Sequence, residues 1–339
     1  MAKRAAARER LVVVGDLNGA HDALVAILKG TGLVDARLRW IGGASELVQI
    51  GDLFNRGGGA RRALQLLLRL QREAKKTGGR VSILLGNHEV MTALGNEAYC
   101  TEGEYLAFAS ARERKAWPAR VQRAAQRLYR APSRGGRILP FEPRLDAWKA
   151  LHAPGQAALR RELGPRGKLG RALRQLPMVR LTHGLVCVHA GILPAWAAHG
   201  VDGLNQIAID EWQNAGKRYR DIGRGSLFRN PEGPLWDRTL ARAGGKAKRD
   251  LARSLALLGA ERMVVGHTPT HTLPGGEKGR VFTRFDGRLV LVDVGLGEGE
   301  EAPRAALLVE DGKGFEWTPA GLRRLWGAKG ERRRALKQA

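Results

Sequence analysis

The chain has 339 residues, 43% of them hydrophobic, enough to bury a large core in one enzyme-sized fold with insertions. With 58 Lys and Arg against 33 Asp and Glu it carries a formal charge of +25, which raises nucleic acid as a partner through a basic surface, while an aromatic content of 6% argues against a dedicated stacking platform. No stretch approaches the roughly 18 uninterrupted apolar residues of a membrane span, the start around Lys3 and Arg4 lacks the apolar core of a secretory signal, and Cys100 and Cys187 cannot make a disulfide framework, so the expectation is a cytoplasmic protein with no membrane partner.

A basic N-terminal arm, residues 1–10, precedes the first strand, Leu11-Val12-Val13-Val14, which reads as buried and runs into the loop Gly15-Asp16-Leu17-Asn18-Gly19. Asp16 therefore sits at a strand C-terminus. The layout repeats: Leu47-Val48-Gln49-Ile50 leads into Gly51-Asp52-Leu53-Phe54-Asn55-Arg56-Gly57 and then a helical pattern from Ala60 to Leu70. Val81 to Leu85 leads into Gly86-Asn87-His88-Glu89. Residues from about 107 to 176, rich in Arg, Ala, Leu and Gln and broken by Pro132, Gly135-Gly136, Pro140, Pro154 and Pro165, read as an α-helical insertion. The next apolar strand, around Val186 to Val188, delivers His189 to a Gly-bearing loop. Helices are expected from Leu204 to Lys217 and from Ala247 to Leu258. Met263-Val264-Val265 then delivers His267 in Gly266-His267-Thr268-Pro269. Leu289 to Val294 reads as the last core strand, with Asp293 in a structural role near its end. An acidic Gly-rich turn at 295–301, a pair of short strands and a basic tail over 323–339 follow, leaving 11–322 as the folded domain.

Strand ends presenting Asp16, Asp52, Asn87, His189 and His267 converge if the strands share a sheet, because sites in α/β folds form at the carboxyl edge. Taken in this order, the five clusters resemble the dinuclear metallophosphoesterase superfamily, whose signatures run GDxH, GDxxDRG, GNHE, HxG and GHT. Within it they are most similar to the PPP-type branch and its Shewanella-like phosphatases. Gly103-Glu104-Tyr105, Gly191-Ile192-Leu193-Pro194 and Gly233-Pro234-Leu235-Trp236-Asp237-Arg238 extend the likeness, which spans Leu11 to Gly297.

The resemblance implies a four-layer αββα sandwich, a phosphorylated small molecule or phosphoprotein as substrate, and two divalent ions, Mn, Fe or Zn, which lie roughly 3.5–4 Å apart in such sites. It assigns Asp16 and Asn18 to the first ion, Asp52 to the bridge, and Asn87, His189 and His267 to the second. His88 becomes the acid beside the leaving group, and Arg56 and Arg238 grip phosphate oxygens with a planar fork that suits them. Glu89 reads as structural, fixing nearby loops. His21 begins the next helix, and His271 is a loop histidine.

Two positions depart from the pattern. Asn18 replaces the GDxH histidine and weakens the first ion site. Asn55 replaces the second carboxylate of GDxxD, so it orients His88 without stabilising an imidazolium as a carboxylate does. The leading reading is hydrolysis of a phosphomonoester, as in a Ser/Thr-type protein phosphatase. The alternatives are a catalytically impaired member that binds phosphorylated ligands or partners, and a phosphodiesterase or nuclease using the basic surface.

Overall fold

The computed structural model describes residues 10–130, 140–215, 218–297 and 303–327. Three parallel strands open the chain: β1 (Arg10–Val14), β2 (Glu46–Gln49) and β3 (Arg80–Ile83), paired in the register Leu11 to Glu46 and Glu46 to Arg80. Their crossovers carry α1 (His21–Gly30) and α2 (Ala60–Lys75). Along α2, Ala60, Ala63, Leu64, Leu67, Leu70 and Ala74 are buried while Arg62, Gln65, Gln71 and Arg72 are exposed, the 3.6-residue period of a helix lying on a sheet. It extends beyond the Leu70 expected from sequence.

After α3 (Asn87–Ala93) comes a run of helices: α4 (Glu102–Phe108), α5 (Ala111–Arg130), α6 (Phe141–His152), α7 (Gln156–Leu163) and α8 (Lys168–Leu173). Trp117 of α5 stacks on Trp148 of α6 at 5.5 Å. The expected breaks at Pro132 and Gly135-Gly136 lie outside the described residues.

The second half begins with a hairpin, β4 (Val179–Thr182) and β5 (Leu185–Val188), whose two-residue loop, His183-Gly184, has positive φ at both positions, 50° and 73°. That backbone matches the twist of paired strands. Next come α9 (Pro194–Ala197), α10 (Gly200–Asn214), α11 (Thr239–Arg242), α12 (Gly245–Leu258), β6 (Arg262–Val265), β7 (Phe282–Arg284) and β8 (Leu289–Leu291). Helix α10 starts four residues before the expected Leu204 and ends at Asn214; Lys217 lies outside the described residues.

The last strands are β9 (Ala306–Glu310), β10 (Lys313–Thr318) and β11 (Gly321–Trp326), three where the sequence suggested two. The tail expected from Arg323 is corrected accordingly. Arg323 belongs to β11, where its guanidinium meets the fully buried Glu316 at 2.8 Å, and Trp326 is buried over Gly314. Residues 328–339, and 1–9 of the expected N-terminal arm, lie outside the described residues, as does part of the acidic turn.

The strands form two mixed sheets, β11-β10-β9-β1-β2-β3 and β4-β5-β6-β8-β7. They share one core from Leu11 to Trp326 and give the αββα sandwich. Apart from Arg10 at the start of β1, the strands β1 and β5 are buried throughout and read as apolar runs, as expected for parallel strands covered on both faces. No helix among the described residues is long and apolar enough to cross a membrane.

Candidate active site

The carboxyl ends of β1, β2, β3, β5 and β6 deliver Asp16, Asp52, Asn87, His189 and His267, all buried. At the centre, the Asp52 carboxylate lies 3.4 Å from His189 Nε2 and 3.7 Å from His88 Nε2, and its Oδ1 accepts from the His88 backbone N–H at 3.0 Å. Ligand atoms of Asp52, His189 and His267 all lie within 4.8 Å of one another. Asn87 Oδ1 is 2.8 Å from His189 Nε2, which places the amide beside this group. Asp16 accepts from the His267 backbone N–H at 3.1 Å, which joins β1 to β6 across the sheets.

Glycine is required where these chains touch. A Cβ on Gly86 would fall 2.3 Å from the backbone N and Oδ1 of Asp52, and one on Gly266 would fall 2.1 Å from Asp16 Oδ1. Five non-glycine residues of the site, Asn18, Asp52, Asn55, Arg56 and His267, hold φ between 45° and 72°. Such backbone costs energy and persists only when its surroundings impose it. At Asp52 it is Glu89 that imposes it, accepting from the N–H groups of Asp52, Leu53, Phe54 and Gly86.

The charges are strongly perturbed. Burial, with Asp293 and Asp52 nearby, raises the Asp16 carboxyl well above its usual range. Burial also opposes ionisation of Asp52, but His189 and His88 outweigh it and hold the carboxyl low. Burial and Asp52 push Glu89 up to about 7. Although burial lowers it, His189 is pushed up to about 9 by Asp52. His267 is driven well below its ordinary value by burial and by His189, leaving a neutral imidazole.

The residues present fit a divalent cation. His267 Nε2 and Asn18 Oδ1 are buried without a hydrogen-bond partner, an expensive state for a lone pair unless a cation occupies its direction. His189 Nδ1 faces the Ile50 carbonyl at 3.1 Å, which turns Nε2 into the cluster as a ligand imidazole requires. Carboxylate, imidazole and amide oxygen suit hard or borderline ions.

Residues 9–271 match the calcineurin-like phosphoesterase family. The chain belongs to it. This phosphoesterase, a member of a family of hydrolases acting on phosphoric esters, is 30% identical over 267 residues to Shewanella-like protein phosphatase 2 of Arabidopsis thaliana, covering 77% of this chain and 66% of that protein. It is 26% identical to an uncharacterised protein of Schizosaccharomyces pombe over 302 residues, 87% of this chain and 76% of that one. The fold matches the cold-active protein-tyrosine phosphatase of a psychrophilic Shewanella with a TM-score of 0.68 at 20% identity, over 94% of this chain and 81% of that one.

Around the phosphoesterase cluster, Arg238 donates through Nη1 to the His267 carbonyl at 2.7 Å and to Thr268 Oγ1 at 3.2 Å, which fixes its guanidinium beside the histidine. Arg56 is exposed and anchored by its backbone N–H to the Tyr99 carbonyl; burial lowers the His88 pKa against the pull of Asp52, and the Arg56 charge adds to the lowering. His88 is buried, its ring 5.1 Å from that of Tyr99. His21 turns to Asp22 at 2.8 Å and His271 is exposed, as read from the sequence.

Sequence reasoning missed the surroundings of Asn55. Glu104, buried on α4, accepts from Asn55 twice: the backbone N–H at 2.9 Å and Nδ2 at 3.0 Å. Asn55 Oδ1 in turn meets His88 Nδ1 at 2.6 Å and accepts from Thr92 Oγ1 at 3.2 Å. The only signal in the sequence was an acidic residue inside the Gly103-Glu104-Tyr105 stretch, and 49 positions separate it from Asn55.

Proposed function

We propose that this phosphoesterase is a metal-dependent phosphomonoesterase acting on phosphorylated substrates, phosphoproteins foremost, in the manner of a Ser/Thr-type protein phosphatase. The observation that carries the reading is the buried group of Asp52, His189 and His267, with His267 Nε2 left without a partner beside Arg238. The protein-phosphatase names of the Arabidopsis and Shewanella relatives support a protein substrate.

Asp16, Asn18, Asp52, Asn87, His189 and His267 would hold two divalent ions. When bound, such ions supply Lewis acidity toward a phosphoryl oxygen and lower the pKa of an attacking water. Arg238, already pinned by two hydrogen bonds, and Arg56 at the exposed rim bind the remaining phosphate oxygens. His88 carries a proton at Nε2 for the leaving-group oxygen, with its other nitrogen held by Asn55. The basic surface assists capture of an anionic substrate. Near the rim, a cavity of about 360 Å³ between Gly58 and Gly103 is lined by Arg61, Arg62 and Arg114.

A second reading, a binding protein without turnover, is favoured by Asn18, whose neutral buried oxygen replaces an imidazole.

The test is turnover of aryl phosphates and a phosphopeptide by protein supplied with Mn²⁺, before and after chelation. We expect turnover that chelation removes. His88→Asn should slow esters with poor leaving groups by about 10²–10⁴-fold and good leaving groups far less. Retention of phosphorylated ligands without any turnover would establish the binding reading instead, and equal losses on all esters would take His88 out of proton transfer.

A further inference from the structure

We propose that Glu104 is the positioning residue of this site: acting through Asn55, it dictates which nitrogen of His88 bears the fixed proton and which faces the reacting centre. The inference rests on the proton-carrying role given to His88 above.

The direction of the Asn55 amide is fixed by its neighbours. Burial raises the Glu104 pKa and the two Asn55 N–H donors oppose that rise; in the ionised form those donors favour, the carboxylate accepts hydrogen bonds and donates none. Glu104 Oε2 at 3.0 Å therefore requires that Asn55 present its NH₂ on that side, and Cys100 Sγ, 3.1 Å from the same Nδ2, is compatible with a donor there. The amide oxygen then has to face the other way, where it receives the Thr92 hydroxyl at 3.2 Å and lies 2.6 Å from His88 Nδ1. At that distance an oxygen without protons requires Nδ1 to carry one. His88 thus keeps a fixed proton at Nδ1, and the proton it passes to a leaving group is a second one, taken up and released at Nε2, which is turned toward Asp52 at 3.7 Å. Flipping the amide would set an oxygen against the carboxylate and an NH₂ against two donors.

Burial removes any substitute for this chain of contacts. Glu104 is 1% exposed, Asn55 0%, Thr92 2% and His88 5%, so solvent does not compete for the bonds. Glu104 also grips Asn55 through its backbone N–H at 2.9 Å, which holds the residue at φ 72° and keeps the amide in reach of the ring. One carboxylate thus secures both the conformation of Asn55 and the direction of its side chain. It stands two hydrogen bonds from the imidazole, and its charge polarises the amide so that Oδ1 becomes a stronger acceptor.

The experiment compares wild type, Glu104→Gln, Asn55→Asp and the combined Asn55→Asp/Glu104→Gln protein on aryl phosphates of graded leaving group, with His88→Asn as reference. Glutamine at 104 accepts or donates equally well, so the Asn55 amide loses its enforced direction. We expect kcat for the poorest leaving group to fall about 10–100-fold, with KM nearly unchanged and the best leaving group nearly unaffected. Asn55→Asp alone sets two buried carboxylates together and should be worse. The combined variant supplies an acceptor to His88 and an amide donor behind it, and should recover to within a few fold of wild type. In long-range ¹H–¹⁵N spectra, the His88 signals, identified by their loss in His88→Asn, should report Nδ1–H in wild type and a tautomer mixture in Glu104→Gln.

Equal losses for all leaving groups in Glu104→Gln, or a combined variant no better than Asn55→Asp, would overturn the proposal. If Glu104→Gln does not fold, recovery in the combined variant alone decides. If His88→Asn itself shows no leaving-group dependence, it is the role of His88 that fails; if His88→Asn shows it and Glu104→Gln does not, only the role of Glu104 fails.

Discussion

Asp52→Asn is expected to reduce turnover by roughly 10³-fold or more, about 4 kcal/mol in the barrier, together with loss of bound metal. Asp52 is the one carboxylate that faces both His189 and His88 while its backbone carbonyl ties down Leu17 and Asn18. The substitution keeps that carbonyl and the shape of the side chain. It removes the negative charge that faces the neighbouring histidines, and it replaces a carboxylate oxygen that would hold a divalent ion with an NH₂ that cannot. Rates on an aryl phosphate and elemental analysis of the purified variant check this; turnover within tenfold of wild type would remove Asp52 from the chemistry.

The largest loss of stability is expected at a residue that touches no substrate. Glu89 is fully buried, and its two oxygens take four backbone N–H groups: Asp52 at 2.8 Å, Leu53 at 2.7 Å, Phe54 at 3.3 Å and Gly86 at 2.8 Å. In Glu89→Ala those donors remain buried with no acceptor, and each such group costs about 1–3 kcal/mol. Because the loop relaxes, the sum is not reached; a loss of about 3–5 kcal/mol, the scale for breaking a buried charged network, is expected in urea unfolding. The positive φ of Asp52 loses its support at the same time, so activity should fall even in the folded fraction. A loss below about 1 kcal/mol would show that the loop is held by other contacts.

The sequence exposed the parts of this architecture that rest on local patterns. Short β-branched runs ending in Gly-Asp, Gly-Asn-His or Gly-His announced β1, β2, β3, β5 and β6, because parallel strands buried on both faces are apolar throughout and their loops carry the polar chemistry. Glu89 was read as a loop-fixing residue, and the four hydrogen bonds bear that out. What escaped depends on partners distant in the chain. Arg323 and Arg324 looked like the start of a solvated basic tail, yet Arg323 is drawn into β11 by Glu316, which sits in the facing strand, and Trp326 closes over Gly314. Strands β4 and β7, on the edges of the second sheet, are only partly buried and lack a clear apolar run. Asn55 read as a position that had lost its carboxylate. The fold supplies one from α4, and no periodicity links residue 55 to residue 104.

The most direct test of the account is to count divalent ions on the purified protein while following turnover of an aryl phosphate as Mn²⁺ is added. The account predicts binding that saturates near two ions per chain, the first-site ion more weakly held because Asn18 offers only an amide oxygen, with turnover rising as the ions bind and lost on chelation. Turnover that persists in full with no ion bound would contradict it.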